Sequence, residues 1–223
     1  LLGQLKGLGY GPDKVVAIAY HVDYFNDPWV DPLSKQQFSG REWAYHEAFK
    51  ARDPKSPDLY YTPMAMVDGR FPMLGSDRRR LRAALDRVLA EPPRATVGLT
   101  LVDQPGDPLA KTLRVEARAL ATDLIGQSRL VGAAVFEDPV TTAVPRGENA
   151  GKTLVEHFAV RTFAAEPHTL AADAPATIEF ALKLEPGWAS GRCGVAVFLQ
   201  DEATGRVDQA ESIAWGRPGQ ASR

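Results

Sequence analysis

Cysteine is almost missing from these 223 residues: Cys193 stands alone. A single thiol excludes an internal disulfide, a thiolate-rich zinc site, and two-thiol exchange run by these residues alone, because exchange needs an attacking and a resolving thiol. Histidine is also scarce, and His21, His46, His157 and His168 stand at no metal-ligand spacing, so neither a metal nor another cofactor is expected. Charge of one sign is lacking too. A formal net charge of −2 removes the electrostatic case for nucleic acid or a charged membrane surface as partner. No apolar run approaches the roughly 20 residues of a membrane span. The chain opens on Leu1-Leu2 rather than methionine and shows no signal peptide, so it is expected to be a processed or trimmed part of a longer product.

What is present is ordinary for a folded protein, with 44% hydrophobic and 24% charged residues, and the length suits two domains. Residues 1–8 read as the tail of a helix that closes at Gly9-Tyr10-Gly11-Pro12. The run "VVAIAYHVDY", 15–24, is nearly continuous and rich in β-branched residues, which predicts a strand covered on both faces. Asp31-Pro32 is expected to start a helix reaching about Lys50, with Phe38, Tyr45, Ala48 and Phe49 on one side. In "YYTPMAMVDGRFPMLG", Pro63 leads a strand over 64–67, Asp68-Gly69 makes a tight turn, and 70–74 returns antiparallel, with Ser76 capping a second helix. Leu81, Ala84, Leu85, Val88 and Leu89 mark one face of that helix. Arg78, Arg79, Arg80, Arg82 and Arg87, interleaved with Asp77, Asp86 and Glu91, make its solvated side. Glu91-Pro92-Pro93 reads as a linker.

Beyond Arg94 the period changes to two. Leu113, Val115, Ala117 and Ala119 alternate with charged residues, as do Ile178, Phe180, Leu182 and Leu184 with Glu179, Ala181 and Lys183. Similar runs at 95–102, 130–136, 154–163, 194–200 and 209–215 bring the expected strands to about seven. The predicted fold class is α/β plus all-β: an α/β domain over 1–91 and an antiparallel β-sandwich over 94–217.

"AYHVDYFNDPW", "YYTPMAMVDGR", "LGSDRRRLRAAL" and "RGENAGKTLVEHFAVR" together resemble a family of exported bacterial thioredoxin-like proteins known only as a domain of unknown function (family 1223). The likeness spans both halves. It implies a thioredoxin-like first domain whose first strand is missing here, along with the Cys-x-x-Cys-Pro segment its members usually carry shortly before the position of Leu1. In such a sheet that strand lies centrally, between the partners of 15–24 and 64–67. The two runs are therefore expected in one sheet, separated by an unfilled strand position or bridged by another segment. The resemblance further implies a parent protein like a thiol-disulfide oxidoreductase, periplasmic or secreted, acting on a protein or peptide thiol or disulfide. The competing function is non-enzymatic binding of a peptide or protein.

By the same resemblance Thr62-Pro63 is a cis pair that shapes a groove, with Thr62, Pro63 and Met64 docking an extended substrate. Other candidates keep two readings each. His21 and Asp23, at the end of a buried strand, either move protons near a thiol or hold local structure. Trp29 either covers the groove or anchors its loop. Arg146, Glu148 and Asn149, in the glycine-bracketed loop "PRGENAG", either serve a site or pack two domains together. Cys193 reads as a small buried hydrophobe, with a lone reactive thiol as the other possibility.

Overall fold

The computed structural model describes residues 1–216, so the last residue of the expected 94–217 span lies outside the described residues. It is mostly β, with two α-helices and several antiparallel sheets. The helices are α1 (Gln36–Arg52) and α2 (Arg78–Leu89), and between them a hairpin joins β1 (Met64–Val67) to β2 (Phe71–Leu74). Asp68 and Gly69 both have positive φ, 56° and 64°, the geometry of the tight turn that matches strand twist. Asp77, rather than Ser76, caps α2 by accepting the Arg80 N–H at 2.9 Å.

The second part holds β3 (Ala95–Gln104), β4 (Asp107–Ala119), β5 (Ser128–Glu137), β6 (Val140–Ala143), β7 (Thr153–Glu156), β8 (Ala159–Thr169), β9 (Ala176–Lys183), β10 (Cys193–Gln200) and β11 (Val207–Ala214). They form a four-stranded sheet, β11-β10-β5-β8, a three-stranded sheet, β3-β4-β9, and a small β6-β7 pair. Alternation decides which side chains meet. Leu99, Leu113, Val115, Ile178 and Phe180 from one sheet join Val131, Val135, Val195, Val197 and Leu199 from the other in a single core. A fully buried aliphatic side chain contributes about 1.5–3 kcal/mol, so this cluster dominates the stability.

Strand β10 is buried at every residue, because α1 covers the outer face of its sheet. Phe38 packs on Ala134 and Val160 there, and the Arg41 guanidinium lies 4.4 Å from the Phe163 ring centroid. A second joint lies at the hairpin tip. A Cβ placed on Gly69 would fall 1.8 Å from the Gly205 carbonyl oxygen, and the Val207 N–H donates to the Asp68 carbonyl at 3.0 Å. Charge surrounds this joint. Arg70 bridges Asp68 and Glu91, while the buried Asp208 carboxylate meets Arg94 and Arg129 at 2.7 Å each and Arg206 at 3.5 Å.

Four local readings change. Residues 2–8 form two 3-10 turns rather than the end of an α-helix. Helix α1 starts at Gln36, not at Asp31, because Ser34 N–H is taken by the Asp31 carbonyl and Lys35 N–H by the His21 carbonyl. The run 154–163 is two strands, broken where Phe158 turns to φ 55° and donates its N–H to the Asp138 carboxylate. The run 15–24 is extended but joins no sheet as a regular strand. Its bridges are single: Ala19 with Ala159, parallel, and His21 with Ser34.

That last difference leaves two edges. Ala19 directs its N–H and C=O toward β8, bonding Phe158 and Val160 at 2.8 and 2.9 Å. Alternation turns the backbone groups of Val16, Ile18, Tyr20 and Val22 the other way, and they bond no backbone among the described residues. Strand β1 pairs only with β2 there. The Gly75–Pro63 and Arg70–Val67 bonds set its parity, so Met64 and Met66 direct their backbone groups away from β2. Val15, Ala17, Ala65 and Val67 all pack in one cluster with Leu81, Ala84 and Leu85 of α2, while Ile18 and Tyr20 pack toward Phe38 of α1. The expected single sheet holding both runs is therefore not formed by hydrogen bonds among the described residues.

Candidate functional site

Thr62-Pro63 is a cis peptide, as are Asp27-Pro28 and Asp138-Pro139. Thr62 and Pro63 are exposed at the head of β1, and Met64 is half-buried. The corner is held from beneath by Glu42 of α1. One carboxylate oxygen accepts the Tyr24 O–H at 2.8 Å and the other accepts the Tyr61 N–H at 3.2 Å. Glu42 is buried, which raises its carboxyl above the usual range against the pull of those two donors. Burial and the bond to Glu42 likewise push the Tyr24 hydroxyl upward. Glu42 thus fixes Tyr24 and the 60–62 segment relative to α1.

Around this corner lies a row of rings. Phe25 and Tyr24 have centroids 4.9 Å apart, Tyr24 and Tyr60 4.7 Å, Tyr60 and Trp43 5.4 Å, and Trp43 stacks on His46 at 4.8 Å. Tyr24, Glu42, Trp43 and Tyr60 are absent from the sequence-based candidates. The Tyr60-Tyr61 doublet beside Thr62, and Trp43 on the polar side of α1, were the available signals.

His21 and Asp23 serve different partners. His21 Nδ1 lies 2.7 Å from Asp31 Oδ2. Burial alone would raise Asp31, but the bonds from His21 and the Leu33 N–H hold it below the usual carboxylate range. Asp23 accepts the Ser39 hydroxyl at 2.5 Å, and Ser39 Oγ accepts the Asp23 N–H at 3.0 Å. The His21–Asp31 pair closes the 21–31 segment on itself, and the Asp23–Ser39 pair ties that segment to the first turn of α1. Trp29 follows cis-Pro28, and a Cβ on Gly147 would come within 3.8 Å of Pro28 Cδ. The Arg146, Glu148 and Asn149 loop therefore meets the loop of Trp29. Apart from His21 and Asp23, the candidates fall into two groups: Thr62–Met64 beside Tyr24 and Glu42, and the 27–29 loop against 146–149.

Cys193 begins β10 and is 4% exposed; burial, followed by the charge of Glu137, pushes its thiol up to about 11. Among the described residues no group of three or more His, Cys, Asp or Glu is placed to hold a metal ion. No helix there is long and apolar enough to cross a membrane.

Fold and corner together define a mostly β protein with two helices and an exposed aromatic corner at the head of a short hairpin. Residues 3–200 match the family described as "Protein of unknown function (DUF1223)". The chain belongs to that family. A search of curated proteins returns no match. Among solved structures the fold is similar to HBP35 of Porphyromonas gingivalis, at 18% identity and a TM-score of 0.53, over 81% of this chain. The matched region spans 61% of that chain, and the likeness is one of fold.

Proposed function

We propose that the chain is the polypeptide-docking part of an exported, thioredoxin-like protein, with Thr62, Pro63 and Met64 as the docking residues. The observation that carries this reading is the pair of strand edges. Val16, Ile18, Tyr20 and Val22 on one side, and Met64 and Met66 on the other, present backbone groups without backbone partners among the described residues, between α1 and α2. These residues are half-buried, and a backbone group that is covered without a partner costs about 1–3 kcal/mol, so a segment that covers the two edges is favoured to pair with them as one more strand, as in a thioredoxin-like sheet. Thr62 is exposed at the head of β1, where an extended substrate reaches it.

The redox reading needs thiols from outside these residues. Cys193 is buried in the sandwich, protonated at neutral pH, and alone. Docking is tested with fluorescein-labelled α-lactalbumin, reduced and alkylated so that it stays unfolded. Binding that Thr62→Pro and Met64→Asp each weaken about tenfold supports the reading, since one good main-chain contact contributes about 1.4 kcal/mol. Absence of binding, or binding indifferent to both changes, rejects it. The redox half is tested separately, by disulfide reduction assays on a form of the protein that carries a Cys-x-x-Cys segment.

A further inference from the structure

We propose that the rings beside Thr62 select polypeptide segments carrying an aromatic side chain next to the docked backbone. This rests on polypeptide docking at Thr62 and specifies which segments are held. A scattered exposed hydrophobe is ordinary, whereas a contiguous apolar patch marks an interaction surface. Phe25 is 67% exposed, Trp43 48% and Tyr60 40%, and with Tyr24 between Phe25 and Tyr60 they form one connected row.

The row is built rather than incidental. Tyr24 and the Tyr61 backbone are both fixed by Glu42, and Trp43 is stacked on His46 of the same helix. Rings already held in place lose little freedom when a partner settles on them. Trp43 and Tyr60 stand at 87° to each other and Tyr24 and Tyr60 at 42°, so the surface offers both faces and edges. That combination suits an incoming ring, which prefers offset-stacked or edge-to-face contact.

Backbone chemistry identifies the occupant as a polypeptide. Thr62, two residues from Tyr60, has an N–H and a C=O that bond no backbone among the described residues. An extended chain satisfies both at once while its next side chain reaches the rings; a sugar or lipid headgroup has no such alternating donor and acceptor.

The test uses labelled peptides of sequence acetyl-Gly-Ser-Xaa-Ser-Gly-Ser, with Xaa as Phe, Leu or Ala, titrated with the full chain and read by fluorescence anisotropy. The Phe peptide is expected to bind about tenfold tighter than the Ala peptide. Trp43→Ala and Tyr60→Ala should each cut that ratio to about threefold or less, chiefly by weakening the Phe peptide. Val155→Ala, an exposed residue of β7, should leave the ratio alone. Both ring variants change exposed side chains, and circular dichroism checks that they fold. Equal binding of all three peptides overturns the aromatic selection and leaves docking at Thr62 standing. No binding of any peptide at millimolar concentration overturns both. A dimer in sedimentation velocity that Trp43→Ala dissolves assigns the rings to a second copy of the chain and overturns the selection as well.

Discussion

Removing the Asp208 carboxylate should be among the most damaging single changes in this protein. Its side chain is 1% exposed and lies 2.7 Å from both Arg94 Nε and Arg129 Nε, with Arg206 Nε at 3.5 Å. Arg94 is in the segment between α2 and β3, Arg129 in β5, and Asp208 and Arg206 flank the start of β11. Asp208→Ala therefore leaves three guanidinium groups facing one another in a largely dry joint. Asp123, Asp201 and Glu91 still neutralise Arg94, Arg129 and Arg206 in part, but Asp123 is well exposed and Glu91 lies 3.8 Å from Arg206, so those two pairings are weak. Breaking a buried pair by deleting one partner costs about 3–5 kcal/mol, which in a chain of this size lowers Tm by roughly 10 °C. Urea unfolding followed by circular dichroism measures it. The control is Asp208→Leu with Arg129→Met, which removes opposite charges together and should recover more than half of the loss. A loss below about 1 kcal/mol for Asp208→Ala at low salt would refute the assignment of this carboxylate as the centre of the joint.

Asp68, at the hairpin tip, predicts a pH effect of defined sign. Burial pushes its carboxyl up to about 6 from an ordinary 3.8, against the pull of Arg70. The folded state thus holds this proton more tightly than the unfolded chain. The stability it contributes is full below about 3.8 and is lost as pH rises through 6, a change of up to about 3 kcal/mol. Asp68→Asn, which also tolerates positive φ, should be more stable than the parent at pH 7.5 and show a flatter profile between pH 4 and 6; thermal melts across that range decide it. Cys193 should react with a thiol reagent at pH 8 at least about a hundredfold more slowly than in urea, and equal rates would contradict its burial. Gly69→Ala should cost about 2–4 kcal/mol, because the new Cβ meets the Gly205 carbonyl at positive φ. Faster hydrogen exchange at the Val207 amide, which bonds Asp68, would locate that damage at the tip.

Local pattern alone determined much of this protein. Alternation along 113–119 and 176–183 specifies half-buried strands because a pleat sends successive side chains to opposite faces, and the observed burial of β4 and β9 obeys it. Asp68-Gly69 specifies its turn because few residue pairs accept two positive φ values. Leu81, Ala84 and Leu85 specify the buried stripe of α2 through the helical period. The site is another matter. Thr62-Pro63 was visible as a strand-leading pair, but Glu42 and Tyr24 were not, since they are 18 residues apart and meet only when α1 folds back under the corner. The run 15–24 shows the same limit. Its composition demands an extended, covered segment, yet which edge it pairs is settled by contact with Phe158 and Val160, about 140 residues later in the chain. Hydrophobic period fixes which way a side chain points. Only the packed fold decides what it meets there, because that depends on segments brought together from far along the chain.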